Sequence, residues 1–296
     1  MSHATLSVVV FVLVMIVIIS EKVHRAVVAV GGADAGLRLR RGHIEAKDNG
    51  VLDIETGVSY IDYNTIGLLI GMMLFVAVVK HSGIFEYLAV KSAKIAKGDP
   101  WKMMIVFIII TALLSALLDN VTTVLLVGPM TFAITKAMDL NPVPYIMTQI
   151  LASNIGGTAT LIGDPPNIMI GSATGLSFVD FLVNDGLIVI VVMIATIFAF
   201  KLIYKKKLIA TPEAMKAVMD MDEKALIKDK SLLTKSVVMI VLIVAGFSLH
   251  GVLHMESSII ALTGAVIMII IGKQNVEGIV EDVEWPTIIF FTALFI

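Results

Sequence analysis

Residues 63–79, 187–204, 236–253 and 257–272 are each apolar almost without interruption. Runs of this length approach the roughly 20 residues that carry an α-helix across the hydrocarbon of a bilayer. Composition points the same way, with 58% hydrophobic residues, 16% charged residues and a mean hydropathy of +0.96. Soluble domains hold about 45–50% apolar and about 25% charged residues. No compact core of this size hides that excess, so the lipid bilayer is the expected surroundings. The chain has no cysteine, which excludes a disulfide framework and thiolate metal sites. A net charge of −2 supplies no basic field for nucleic acid. The expected class is an all-α membrane protein.

The remaining apolar runs are less regular. Residues 4–20 lack a basic leader and are followed by Glu21-Lys22-Val23-His24-Arg25 rather than a small-residue cleavage site, so a retained span is expected. Residues 23–37 are a poorer span, broken by Asp34 and several glycines. Runs 103–118 and 121–134 form a pair around a polar break, and 143–171 is long and heavily interrupted. A last run starts at Trp285.

Lysine clusters set the expected orientation. Lys80, Lys91, Lys94, Lys97 and Lys102 fall in one loop, and Lys201 to Lys235 hold a second, larger group. The positive-inside rule places segments 80–102 and 205–235 in the cytoplasm. Residues 101–137 must then leave and return on one side, yet two full spans with a turn need roughly 40 residues or more. A re-entrant hairpin with its tip at Asp119-Asn120 satisfies both constraints. Non-helical backbone at that depth is tolerated only inside protein or along a cavity.

The two ends of the chain resemble each other. Ile61-Asp62-Tyr63-Asn64-Thr65-Ile66 matches Val283-Glu284-Trp285-Pro286-Thr287-Ile288, and residues 26–32 match 259–264. Loop charge makes the two copies opposite in direction, the inverted-repeat plan of many secondary transporters. The expected organisation is a first repeat at 1–204, with hairpin 101–137 and broken helix 143–175. A cytoplasmic linker at 205–234 and the start of a second, truncated repeat at 235–296 follow. The sequence is thus expected to be part of a longer protein, with half of the site beyond residue 296.

Two polar clusters sit in apolar surroundings. The first is Ser115-Ala116-Leu117-Leu118-Asp119-Asn120-Val121-Thr122-Thr123. Ser115 and Asp119, four apart, are expected on one helix face. A carboxylate deep in a bilayer costs several kcal/mol, so Asp119 reads as a functional residue. Asn120 offers donor and acceptor, while Thr122 and Thr123 serve either an ion or freed backbone groups. The second cluster runs from Ser153 through Asn154, Gly156, Gly157, Thr158, Gly163, Asp164, Pro165 and Pro166 to Asn167. Glycine permits positive φ and close approach, and proline removes backbone donors. Gly163, Pro165 and Pro166 are expected to break the helix. The freed carbonyls and half-helix ends would then meet a cation or an anion.

At these residues the chain resembles the ion transporter superfamily, in the branch of arsenite-efflux permeases, NhaD-type sodium–proton antiporters and the pink-eyed dilution protein. Leu118 to Thr123 and Asn154 to Asn167 resemble its two N-terminal signatures. More distantly the chain is similar to sodium-coupled di- and tricarboxylate symporters, whose hairpin tip reads Ser-Asn-Thr where this one reads Asp119-Asn120-Val121. The resemblance implies an ion-coupled permease for a small ion: an inorganic anion, a metalloid oxyacid or a cation. Arsenite or antimonite efflux and sodium–proton antiport are the types implied, and carboxylate symport is the alternative. It implies no cofactor, a coupling proton or Na+, and a candidate Na+ site at Ser115, Asp119, Asn120 and Gly157. A scaffold with an elevator-like part, a homodimer in the full-length protein and a separate ATPase subunit belong to the same expectation. Two membrane aspartates also raise an intramembrane aspartyl protease, but Asp164 follows Leu161-Ile162-Gly163 and not a Gly-x-Gly motif.

Overall fold

The computed structural model describes residues 3–44, 57–205, 208–253 and 255–296, and among these there is helix but no strand. Helices α1 (His3–Ile19), α2 (Arg25–Ile44) and α3 (Tyr63–Lys80) lead to the short α4 (Ile84–Ile95). An antiparallel pair follows, α5 (Pro100–Ser115) and α6 (Asn120–Ala137). Then come α7 (Val143–Gly157), a non-helical stretch, α8 (Pro165–Thr174) and the long α9 (Phe178–Tyr204). The last part holds α10 (Pro212–Met219), a 3-10 turn (Glu223–Leu226), α11 (Lys230–Leu253), α12 (Ser257–Gly272), α13 (Val276–Glu281) and α14 (Trp285–Phe295).

Among the described residues α3, α9 and α11 are long and apolar enough to cross a bilayer, and α5, α12 and α14 are shorter apolar helices. The 16 residues of α5 reach about 24 Å, short of the roughly 30 Å hydrocarbon core. Leu187, Ile188, Val191 and Ile194 on α9 and Val241 and Leu242 on α11 are exposed on the outer surface. In water such faces would be an aggregation hazard; in lipid they cost nothing.

Among the described residues two large apolar cores form, beside a small cluster of Met73, Val283 and Ile288. The first joins α3, α11 and α12 through Leu68, Phe75, Ile243, Phe247, Ala261 and Met268, and takes in Leu118, Leu161 and Ile162. The second joins α4, α5, α6 and α7 through Val90, Met104, Phe107, Ile134 and Tyr145. In the first core α3 packs along α12, start beside start: the Ser258 amide donates to Asn64 Oδ1 at 3.0 Å. Gly71 makes this approach possible, since a Cβ there would lie 2.6 Å from the Leu262 backbone nitrogen. Small residues at such crossings let backbones close in, and dispersion contacts hold helices together where lipid removes the hydrophobic drive. Helices α2 and α14 also meet start to start, where Arg25 Nη2 donates to Thr287 Oγ1 at 3.0 Å.

The lysine-rich segments carry more structure than their charge suggests. Segment 80–102 contains α4, which buries Ala89, Val90 and Ala93 at helical spacing in the hairpin core and Phe85 in the first core. The linker expected at 205–234 is docked where it is described, from residue 208 onward. Val218 of α10 is fully buried. Lys94 Nζ donates to Glu223 at 2.6 Å and Lys228 Nζ to Glu86 at 2.9 Å. Gly83 takes φ +81°, and a Cβ there would sit 2.1 Å from the Leu226 carbonyl oxygen. The repeat at 61–66 and 283–288 falls at the starts of α3 and α14. Asp62 caps α3, accepting from the Asn64 amide at 3.0 Å and the Thr65 hydroxyl at 2.7 Å.

Two outcomes follow from this packing. Gly71→Ala forces α3 from α12 and is expected to cost about 1–3 kcal/mol, read as a lower melting temperature in detergent or nanodiscs. Burial opposes ionisation of Asp62, but hydrogen bonds from Ser172 and Thr65 outweigh it and hold the carboxyl below the usual aspartate range. The stabilisation is therefore present at neutral pH and lost as pH falls through the depressed value. Asp62→Ala is expected to cost about 0.5–2 kcal/mol at neutral pH, with the gap to the parent narrowing in acid.

Candidate functional site

The chain reverses between Ser115 and Asn120, and the turn lodges against the non-helical stretch between α7 and α8. Ser115 Oγ donates to the Ser153 carbonyl at 2.7 Å. Thr160 Oγ1 donates to the Ala116 carbonyl at 2.5 Å. Asn120 Nδ2 donates to Asn154 Oδ1 at 2.8 Å. Ser115 and Asp119 do not share a helix face, because α5 ends at Ser115 and Asp119 belongs to the next helix. Asp119 is the N-cap of α6, and its carboxylate accepts from the Thr122 amide at 2.8 Å. That bond satisfies an orphan donor of the first turn.

The glycines act by size and not by φ. None of Gly156, Gly157 and Gly163 has positive φ. A Cβ on Gly156 would lie 2.3 Å from the Ala112 carbonyl oxygen of α5. One on Gly163 would lie 2.4 Å from the Gly157 oxygen and 2.7 Å from the Ser115 oxygen. Three backbones thus cross at contact distance at one point.

The freed carbonyls are largely taken. Asn167 is buried, and its Nδ2 lies 2.9 Å from the Thr160 oxygen, 3.3 Å from that of Gly157 and 3.4 Å from that of Thr158. Asn167 therefore acts first as the brace of the break. Thr158 Oγ1 bonds back to the Asn154 and Ile155 carbonyls. Pro165 and Pro166 occupy the first turn of α8 and bring no N–H, while the Asn167 amide bonds to the Asp164 carbonyl at 3.0 Å. The start of α8 consequently keeps its dipole but offers an anion few donors, unlike an ordinary helix N-terminus.

The ionisable groups are less well matched. Asp119 stands at the end of the turn and Asp164 at the end of the break, and neither forms an ion pair with a described residue. Glu284, at the start of α14, also feels Asp119. Its Oε1 lies 3.7 Å from Arg25 Nη2, and its Oε2 is buried with no hydrogen-bond partner. The guanidinium also stands over the Phe290 ring at 5.6 Å. Sequence reading used Glu284 only as a mark of the repeat, because its meeting with Arg25 spans almost the whole chain. Asp119, Asn120 and Asp164 are partly exposed, and Asn154 and Thr158 are exposed. Thr122 is half-buried, whereas Thr123 is fully buried with an unpartnered hydroxyl. Among the described residues no three His, Asp or Glu side chains converge as a metal-ion group. The donors on offer are two carboxylates with amide and hydroxyl oxygens, a hard oxygen set.

Comparison with known proteins places this geometry in context. Residues 15–296 match the family model CitMHS, described as citrate transporter. An "uncharacterized transporter" of Mycobacterium tuberculosis is 38% identical over 293 residues, covering 99% of this chain and 67% of that protein. A "46 kDa membrane protein" of Mycobacterium leprae is 37% identical over the same shares. The human P protein is 28% identical over 351 residues, covering 94% of this chain and 41% of that protein. The chain thus spans about two thirds of the length of these mycobacterial relatives and under half of P protein.

Removing the brace is the direct test of the break. Asn167→Ala leaves up to three carbonyls without that donor and is expected to destabilise the protein by about 1–3 kcal/mol for each that stays unpaired. Thermal unfolding of the purified protein measures it.

Proposed function

This chain belongs to the CitMHS citrate transporter family of membrane transporters, and we propose that it works as an ion-coupled secondary transporter. Asp119 on the hairpin turn and Asp164 at the helix break bind the coupling cation, a proton or Na+. The observation that carries this reading is that Asp119 stands on the turn and Asp164 on the break bonded to it, with no described lysine or arginine paired to either. Two such charges in an apolar setting cost several kcal/mol. A cation shared between them, or a proton on one, offsets that cost. Ser115, Asn120 and Gly157 belong to the same junction, though the Ser115 hydroxyl and the Gly157 carbonyl already have protein partners. A Na+ there would draw chiefly on the carboxylates and on Asn120.

Several features support the wider architecture. The pairing of α2 with α14 and of α3 with α12, start to start in both cases, is what a two-fold exchange of α2 with α12 and α3 with α14 would produce. Asp62 and Glu284 are the matching acids at the starts of α3 and α14. Such an axis in the membrane plane is the inverted-repeat design, with a re-entrant hairpin and a broken helix meeting near the midplane. Ion pairs between segments 80–102 and 205–235 put both lysine groups on one side, in keeping with a cytoplasmic face. The break draws on both cores, Leu161 and Ile162 in one and Ala152 in the other. A movement of one core against the other would open the site to alternate sides.

A substrate that is itself a carboxylate is the second reading, favoured by the family's description. Asn120, Asn154 and Thr158 are the accessible neutral polar groups that such a substrate would meet. Metalloid-oxyacid efflux and sodium–proton antiport remain the alternatives drawn from resemblance.

The full-length protein reconstituted in proteoliposomes tests the coupling. Substrate flux for citrate and arsenite, and sodium-driven proton flux, are measured with and without imposed gradients. Asp119→Asn and Asp164→Asn are each expected to abolish gradient-driven flux while the protein stays folded. Coupled flux unaltered in both variants would falsify the mechanism.

A further inference from the structure

A hollow inside the first core has no part in the transport reading. It lies where α3, α11 and the hairpin turn come together, with about 50 Å³ open to the centre of a water-sized group. Phe75 of α3, Ile243 of α11 and Leu118 of the turn line it and are 1%, 4% and 7% exposed. Ile162 of the break lines it as well. At the far end it reaches Val79, one residue before α3 ends, and Ile84 at the start of α4. The hollow therefore spans from the hairpin turn toward the lysine-rich end of the molecule.

Every side chain that lines the hollow is apolar, in an interior that is otherwise expected to be close-packed. Such a space gives water no hydrogen-bond partner and gives an ion nothing to offset its lost hydration. Only an apolar molecule suits it, and the rim decides which. Leu114 and Leu117 on one side and Ile240 and Val244 on the other are half-buried. Beside them in the chain Leu113 and Val241 are 64% and 63% exposed, and α11 is one of the helices long and apolar enough to cross a bilayer. The rim thus adjoins faces that lipid covers, and lipid tails are as apolar as leucine. We infer that the hollow is a binding site for a phospholipid acyl chain, which enters between α5 and α11. The chain lies between the hairpin turn and the helices of the first core. Its effect on movement of the turn rests on the transport reading; its presence does not.

Photo-cross-linking of the full-length protein tests the site without any transport assay. The protein is held in nanodiscs of phosphatidylcholine that carries a diazirine midway along one acyl chain, and adducts are mapped by peptide mass spectrometry. Phe75 and Ile243 are too buried to meet a chain on the outer surface, so adducts there report a chain inside the hollow. Adducts are expected on both, beside those on the exposed Leu187 of α9. Val244→Phe fills the hollow and is expected to lose the adducts on Phe75 and Ile243 while keeping those on Leu187. Ile240→Phe gives the same readout should the first variant fail to fold. Adducts confined to outer residues in the folded parent overturn the inference, whether the hollow is then empty or filled by another part of the full-length chain. Undiminished labelling of Phe75 and Ile243 in a folded, filled variant overturns it too. Failure of the Asp119→Asn flux test would leave this result standing.

Discussion

The docking of a hairpin turn into a broken helix is the contact on which the rest of this structure depends. Backbone that leaves helical geometry in hydrocarbon frees N–H and C=O groups that water cannot reach, each costing several kcal/mol if left alone. Here the freed groups are bonded across the junction. Ser115 and Thr160 donate between the turn and the break, and the Asn167 amide gathers carbonyls along it. Gly156, Gly157 and Gly163 allow three backbones to come close enough for those bonds. A methyl group at Gly156 or Gly163 would press on Ala112 or on the Ser115 carbonyl, and one at Gly157 on the Gly163 carbonyl.

That closure of the backbone leaves the side-chain charges conspicuous. The junction satisfies most of its freed carbonyls but gives Asp119 and Asp164 no ion-pair partner among the described residues. Glu284 shows the contrasting solution, since Arg25 lies beside it and Thr287 and Phe290 hold the guanidinium in place. Glu284 thus has a cation beside one of its oxygens, whereas Asp119 and Asp164 have none among the described residues. The same contrast separates Asp62, which is anchored by several hydrogen bonds at the start of α3, from Asp164, whose side chain caps nothing.

The position of the junction between two cores links packing to motion. Leu118, Leu161 and Ile162 pack with α3, α11 and α12, whereas Phe107, Ile134 and Ala152 pack with the hairpin bundle. Around the lysine-rich end, α10 and the following 3-10 turn are fixed to α4 by ion pairs and by close passage over Gly83. From residue 208 the segment leading to α11 is therefore docked and is no free tether.

Much of the fold was legible in the sequence because lipid leaves so few choices. Long apolar runs become helices, and the interruptions at 116–119 and 158–164 are where the helices do end. Asp119, Asn120, Asp164 and Asn167 stood out for the same reason, as polar groups that hydrocarbon penalises. Helix α4 was hidden, since its lysines masked an apolar face spaced at three and four residues. Only the tertiary structure decided what each polar group does. Asn167 became a brace, Asp119 a helix cap, the glycines contact points, and Arg25 the partner of Glu284. Those roles depend on which strangers in sequence become neighbours in space, and apolar runs that look alike carry no record of their pairings.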